Sequence, residues 1–439
     1  MNTKSKEYDI LSGISVPLNC WLILAFSWFI MSFFLDTTVI LPLYIAVIII
    51  SIIAFCSKPL LQIKSRQYVF LLLFIALLLR ALFFIITLSD SFNWDNGSNQ
   101  GIAFTDGDFL YYAGMSESIL QSWSNGLNFE LFSSYLPIGT NGLFFCHFIS
   151  LVNYLTNDIN VYTGHTYIAF IQLFVFHAVR IYIVYRLSYN CFKCDKLSRI
   201  CATMVAFDPY ILRWDLVLMK ESLLILLIVL NLYMLSQFKQ SNTKVKKALY
   251  LLFSISINYI IFLDRFYLGI FLLSGLFTII VTGNNNTLRR MFRFRVLAIF
   301  SIFTTIVILY TAKKLNNITA LALISENSVV TFGSPLGLIQ IFLTPLPFRA
   351  ATRFDVELLI FYGFPIYYTF LSFFLLGFIK LLLNRLSLMW LIMPFCFLIL
   401  VLAITIPGGS RRRDNFLPIV YIISAYGIVK TQKQISLPR

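Results

Sequence analysis

Leu216–Leu235 reads LVLMKESLLILLIVLNLYML, a stretch with no proline or glycine. As a helix it is about 30 Å long, the thickness of a bilayer's hydrocarbon core. Lys220 and Glu221 fall in its first turns, where a charge facing lipid costs on the order of 2.5–3.5 kcal/mol. Both must therefore face the protein interior or a wet cavity, either as a structural ion pair or as part of a site. Apolar runs of similar length recur from Cys20 to Val429. The chain is 59% hydrophobic and only 12% charged, whereas a soluble protein is roughly a quarter charged. This is the composition of an all-α polytopic membrane protein, read as a single integral membrane domain over residues 1–439. Met1–Pro17 is polar and the first apolar run leads straight into a second, so no cleavable signal is expected.

Spans are expected at Asn19–Leu35, Val39–Cys56, Tyr68–Leu88, Tyr167–Tyr185, Ile200–Leu212, Leu216–Leu235, Ala248–Leu263, Phe266–Thr282, Val296–Thr311, Leu358–Ile379, Leu388–Ile406 and Phe416–Val429. That is about 12 transmembrane helices, in a range of about 10–13. Leu131–Leu155 is apolar but broken by Pro137, Gly139 and Gly142. If it crossed, Arg186, Lys193, Lys196 and Arg199 would fall outside. If it lies in the interface or re-enters, they and every later basic cluster return to the cytoplasm. The second arrangement puts 22 of the 34 basic residues inside with both termini cytoplasmic, as the positive-inside rule requires. The net charge of +15 is thus a topology signal and gives no reason to expect nucleic acid. Cys191 and Cys194 form a lone CxxC and read as incidental thiols. No internal repeat is visible, which weighs against a transporter built from repeated halves.

Ser89–Glu130 holds six acidic residues and no lysine or arginine. Residues 89–155 are therefore expected to form an extracytoplasmic loop with an interfacial or re-entrant segment, and residues 312–357 a second such loop. At the centre of the first, Asp106-Gly107-Asp108-Phe109-Leu110-Tyr111-Tyr112 leads into a short amphipathic interfacial helix. A carboxylate that takes a proton from a sugar hydroxyl must be held near a donor, partly desolvated. Asp106 and Asp108 are the candidate catalytic pair, with Tyr111 and Tyr112 in support; helix capping by Asp108 is the plainer alternative. No cofactor is required, although paired carboxylates also hold divalent ions, which leaves a metal at Asp106/Asp108 open. The three histidines show no metal-site spacing, and His177 reads as a packed core residue.

Nine cations fall on the external side. Arg411, Arg412 and Arg413 follow Pro407-Gly408-Gly409; Arg349 and Arg353 follow a proline-rich stretch; Lys313 and Lys314 precede it; Arg213 and Arg265 mark the outer ends of spans, and Lys220 lies just within one. Guanidinium groups match phosphate oxygens in a two-pronged geometry. Arg411, Arg412, Arg413, Arg213, Lys220, Arg349 and Arg353 are the candidate (pyro)phosphate-binding set, with Glu221, Asp264 and Arg265 in support. Pairing with local acids and lipid headgroups is the alternative.

Four separated pieces resemble one broad family: the Asp106-Gly107-Asp108 loop with Tyr111; Asp208-Pro209 followed by Lys220-Glu221; Leu343-Thr344-Pro345-Leu346-Pro347-Phe348; and Gly409-Ser410-Arg411-Arg412-Arg413 before Pro418. Together they are similar to the GT-C membrane glycosyltransferases and the bacterial O-antigen polymerases of like architecture. The resemblance implies a GT-C-like fold in the bacterial inner membrane, among membrane lipids and polysaccharide-assembly partners. It implies a polyprenyl-linked glycan donor and an external aspartate acting on the acceptor, here Asp106 or Asp108. External cations would hold the lipid-linked phosphate, here Arg411–Arg413 first and Arg213, Arg349, Arg353 or Lys220 after them. The chain departs from the larger oligosaccharide transferases in showing no C-terminal soluble domain, which favours a glycan acceptor.

Two reactions compete within this class. A polymerase joins repeat units carried on undecaprenyl pyrophosphate, and a Phe-, Ile-, Asn- and Lys-rich chain of this size suits it. A single-sugar transferase draws on a polyprenyl monophosphate, and the aspartate loop suits that. A flippase for lipid-linked glycans predicts charges along a path through many spans, whereas here polar density gathers on one face. Cysteine labelling tests the topology. Asn141→Cys is expected to react in intact cells, and Lys193→Cys only after permeabilisation.

Overall fold

The computed structural model describes residues 64–91, 107–124, 142–155, 168, 170–216, 219–282, 367, 370–371, 373–381, 385–405 and 414–435. Every regular element among them is helical. They comprise α1 (Ser65–Ser91), α2 (Gly107–Ser124), α3 (Leu143–Leu155), α4 (Ile171–Phe192, opening on a π-helical stretch), α5 (Asp195–Ala206), α6 (Pro209–Leu216), α7 (Lys220–Gln240), α8 (Lys244–Asp264), α9 (Phe266–Thr282), α10 (Met389–Thr405) and α11 (Leu417–Ile435), with a further helical stretch at 373–381. By length and composition α4, α7 and α8 are able to cross a membrane. The protein is a helical membrane protein. The spans expected at Asn19–Leu35, Val39–Cys56 and Val296–Thr311, and the loop 312–357, lie outside the described residues.

α7 is the central helix. Its apolar window is 72% buried, against 22% for α8, which turns Leu252, Phe253 and Tyr259 outward as a lipid-facing helix does. Hydrogen bonds fix the directions. Asn231 on α7 donates to the Ser254 carbonyl on α8 at 2.7 Å, and Lys220 meets Asp264 at the far end, so the two are antiparallel. α4 runs with α7: Gln172 donates to the Met219 carbonyl at 3.1 Å, and Lys193 to Gln240 at 3.1 Å. At the Gln240 end, Arg199 on α5 also reaches Ser65 on α1 at 3.1 Å. The bundle thus has a Gln240 end and a Lys220 end. α4 closes on Lys193 in the left-handed conformation (φ 52°), and Cys191 and Cys194 flank that corner as free thiols.

The span expected at Ile200–Leu212 is not one helix. α5 stops after 12 residues, about 18 Å, and α6 restarts at Pro209. The proline ring excludes the helical conformation at the preceding residue and offers no amide to bond. Asp208 instead caps the new helix, its Oδ1 accepting the Ile211 amide at 2.6 Å. It also accepts the Tyr421 hydroxyl from α11. Asp-Pro is an N-cap followed by a first-turn proline, a punctuation that outranks the apolar run around it. The described part of Leu131–Leu155 is α3, 13 residues long and about 20 Å, packed alongside α2.

α11 crosses the 373–381 stretch at a glycine pair. A Cβ at Gly427 would run into the Phe373 carbonyl, and one at Gly377 into the Ile423 carbonyl, so the two backbones touch as small residues permit in membranes. Ser424 adds a hydrogen bond to the Phe370 carbonyl at 2.9 Å. Gly427→Val is expected to cost at least about 1–3 kcal/mol, the usual overpacking penalty, and to lower the thermal midpoint in detergent. An unchanged midpoint would contradict the close crossing.

Candidate functional site

Lys220 and Glu221 open α7 after Met219, whose extended backbone carries no side-chain cap. Both side chains are buried, 1% and 0% exposed, as charges in an apolar run must be. Facing them, α8 ends at Asp264, and the extended Arg265 turns the chain directly into α9. Arg265 forms an ion pair with Glu221, and Lys220 donates to the Asp264 carbonyl at 3.4 Å. Breaking a buried pair by removing one partner costs about 3–5 kcal/mol. These two dipeptides staple α7 to α8.

Asp264 also holds the loop that the sequence places around Asp106 and Asp108. Its carbonyl accepts the Gly142 amide at 3.1 Å and its Oδ1 the Phe145 amide at 3.0 Å. Amides at a helix start have no partner of their own, so a residue from a distant helix caps α3. Gly142 sits at φ 105°, where glycine is the natural occupant, and a Cβ there would stand in the Tyr112 ring. Tyr112, on α2, meets Phe145 edge-on at 5.5 Å. Its ring also receives the Lys220 ammonium, 5.2 Å from the centroid, a cation–π contact strengthened by burial. Asp108 lies in the first turn of α2, one helical turn before Tyr112 and about 6 Å along the axis.

A second network adjoins the first. The fully buried Asp215 accepts both prongs of Arg180 at 3.1 Å each and pairs with Arg80 at 2.8 Å. The Ser222 hydroxyl donates to it as well, and His177 Nδ1 stands 3.6 Å away. The adjacent Trp214 donates its indole N–H to Asp414 at 3.1 Å, while the Arg213 guanidinium lies 4.6 Å from its ring centroid.

The structure brings together Tyr112, Lys220, Glu221, Asp264 and Arg265, and places Arg213 on α6 beside Trp214. Asp106, Arg349, Arg353, Arg411, Arg412 and Arg413 lie outside the described residues, as do the side chains of Asp108 and Tyr111. Glu221 and Arg265 realise the structural ion pair that was one of the two readings of the charged span. Sequence reasoning missed the joining of Arg80, Arg180 and Asp215, and the role of Gly142. A signal existed for the first. Two arginines in apolar runs, each with no acid in its own span, require an acid from a neighbour. Among the described residues no group of three or more His, Cys, Asp or Glu side chains is placed to hold a metal ion.

The arrangement defines a class: a helical membrane bundle in which the Arg80–Asp215–Arg180 and Glu221–Arg265 ion pairs and the docked α2–α3 pair lie at one end. No protein-family model matches the sequence and no curated protein matches it. The fold does match. The archaeal oligosaccharyltransferase AglB from Archaeoglobus fulgidus, in complex with an inhibitory peptide and a dolichol-phosphate, superposes with a TM-score of 0.52 at 15% identity, over 84% of this chain and 51% of that one. An apo form of the Archaeoglobus fulgidus oligosaccharyltransferase gives 0.48 at 14% identity, over 83% and 51%. The chain spans about half the length of these proteins, and its fold resembles that of AglB. Gly142→Ala is expected to push Tyr112 off Lys220 and strain the backbone by about 1–2 kcal/mol. Hydrogen exchange should accelerate in 107–124 and 142–155 and stay unchanged in α7.

Proposed function

We propose that the protein is a glycosyltransferase of cell-surface polysaccharide assembly that draws on a polyprenyl-(pyro)phosphate-linked glycan at the extracytoplasmic face of the bacterial inner membrane. Within that class we assign it as an O-antigen or repeat-unit polymerase with a glycan acceptor. The observation that carries the reading is the docking of α2 onto Lys220 through Tyr112. It sets the loop of the candidate acid/base group against a candidate phosphate-binding cation at one end of the bundle. The GT-C-like fold supports it.

In this reading Asp106 or Asp108 takes the proton from the acceptor hydroxyl as that oxygen attacks the anomeric carbon. The glycosidic bond to the carrier breaks, and negative charge grows on the departing phosphate. Arg411, Arg412 and Arg413, with Arg213, Arg349, Arg353 and Lys220 as further members of the set, stabilise that charge, the largest kind of catalytic effect available here. Lys220 and Arg265 already face Glu221 and Asp264, so the reading assigns the leaving group first to the Arg411–Arg413 run. The mechanism needs no cofactor; a divalent ion shared by Asp106 and Asp108 is the other arrangement, and transfer assayed in a chelator separates the two. A single-sugar transferase using a polyprenyl monophosphate is the second reading, favoured by the dolichol-phosphate bound to AglB.

Purified protein given lipid-linked repeat units is expected to yield a ladder of longer glycans, whereas a single-sugar transferase yields one step. Replacing Arg411, Arg412 and Arg413 together by glutamine is expected to abolish product, by about 10²-fold or more, with the protein still in the membrane. Full activity in that variant would remove the leaving-group assignment.

A further inference from the structure

We propose that Asp264 is a positioning residue that sets the spacing between the loop around Asp108 and the cation Lys220, an inference that rests on the function proposed above. The residue is fully buried and accepts three hydrogen bonds, two from the start of α3 and one from α7. Its carbonyl takes the Gly142 amide at 3.1 Å and the Lys220 ammonium at 3.4 Å, and its Oδ1 takes the Phe145 amide at 3.0 Å. The next residue, Arg265, is pinned to Glu221, so Asp264 is held against the start of α7 rather than left on a free corner.

The cap on α3 reaches α2 because the two helices pair along their length. Tyr112 meets Phe145 at 5.5 Å, Ser150 donates to the Ser116 carbonyl at 2.8 Å, and Trp123 meets Tyr154 at 6.3 Å. They run in the same direction, and their starts lie together over Lys220. Tyr112 is wedged there, between the Cβ-free face of Gly142 and the ammonium. Fixing α3 therefore fixes the first turn of α2, where Asp108 stands. Small misplacements of reacting groups slow catalysis steeply. Losing the cap should disturb the acceptor, which the loop addresses, more than the donor, which the cations address.

The test compares Asp264→Ala, which removes the side-chain bond to the Phe145 amide and leaves the two carbonyl bonds, with Asp264→Asn, which keeps an Oδ1 acceptor at the same reach. In D264A the KM for the glycan acceptor is expected to rise about ten-fold or more while the KM for the lipid-linked donor stays within about two-fold. D264N is expected to restore both. Hydrogen exchange at 142–150 should quicken in D264A and return to the wild-type rate in D264N. If D264A does not accumulate, Asp264→Glu, which displaces the carboxylate by one methylene, is expected to show the same split. The proposal is overturned if Asn is as impaired as Ala, if donor and acceptor KM rise together, or if exchange at 142–150 is unchanged. Wild-type protein with no transfer activity would instead sink the functional reading, and the exchange comparison would still decide whether Asp264 holds the loop.

Discussion

Everything at the Lys220 end depends on one carboxylate shared between two guanidinium groups. Arg80 and Arg180 are fully enclosed by protein and cannot shed their protons. Each must find an anion or be excluded from the bundle. Asp215 serves both, with Ser222 completing its coordination. Buried ion pairs are weak sources of net stability, because desolvation consumes most of the attraction. What they fix is geometry. The pair draws α1, α4 and the start of α7 onto the short helix α6. α6 then presents Trp214 to Asp414, and the first turn of α7 presents Lys220 to the Tyr112 ring and Glu221 to Arg265.

The second layer is built on the first. α2 and α3 rest on the bundle through Tyr112, Gly142 and Phe145, and they meet it at Lys220 and Asp264, the two residues that the Asp215 network and the Glu221–Arg265 pair hold still. The α2–α3 pair docks on apolar contacts, with Phe145, Ile149 and Val152 buried in the core, while the cap on α3 and the buried ammonium against the Tyr112 ring fix its position. Away from that end, α8 offers Leu252, Phe253 and Tyr259 to lipid.

Much of this was legible in the chain because a bilayer leaves the backbone few options. Phe266–Thr282 was read to the residue, and α10 to within one residue at each end. Other helices outrun their apolar stretches toward the Gln240 end: α4 continues to Phe192, α7 to Gln240 and α11 to Ile435. Hydropathy marks where lipid ends, whereas the helix goes on into the headgroup zone. The break at Asp208-Pro209 was obscured by the apolar residues on either side. The burial of Lys220 and Glu221 followed from the cost of charge in lipid alone, but their partners did not. Arg265 sits 44 residues beyond Glu221, and no local pattern specifies which distant acid a buried base will meet. Gly142 was noticed as a helix breaker; that its missing side chain makes room for Tyr112 belongs to the packing.

The joint at Asp208 has a consequence for biogenesis. Its hydroxyl donor, Tyr421, is 213 residues further along the chain. At about 5–20 residues per second, a ribosome takes on the order of tens of seconds to deliver that tyrosine. Until then the kinked pair α5–α6 enters the bilayer with an acid that its permanent partner has not yet reached, and it must be sheltered by the insertion machinery or by neighbouring nascent helices. The helix that carries Tyr421 is therefore also the one that closes this joint, and a ribosome stalled short of it leaves an assembly with an open polar seam for membrane quality control to find.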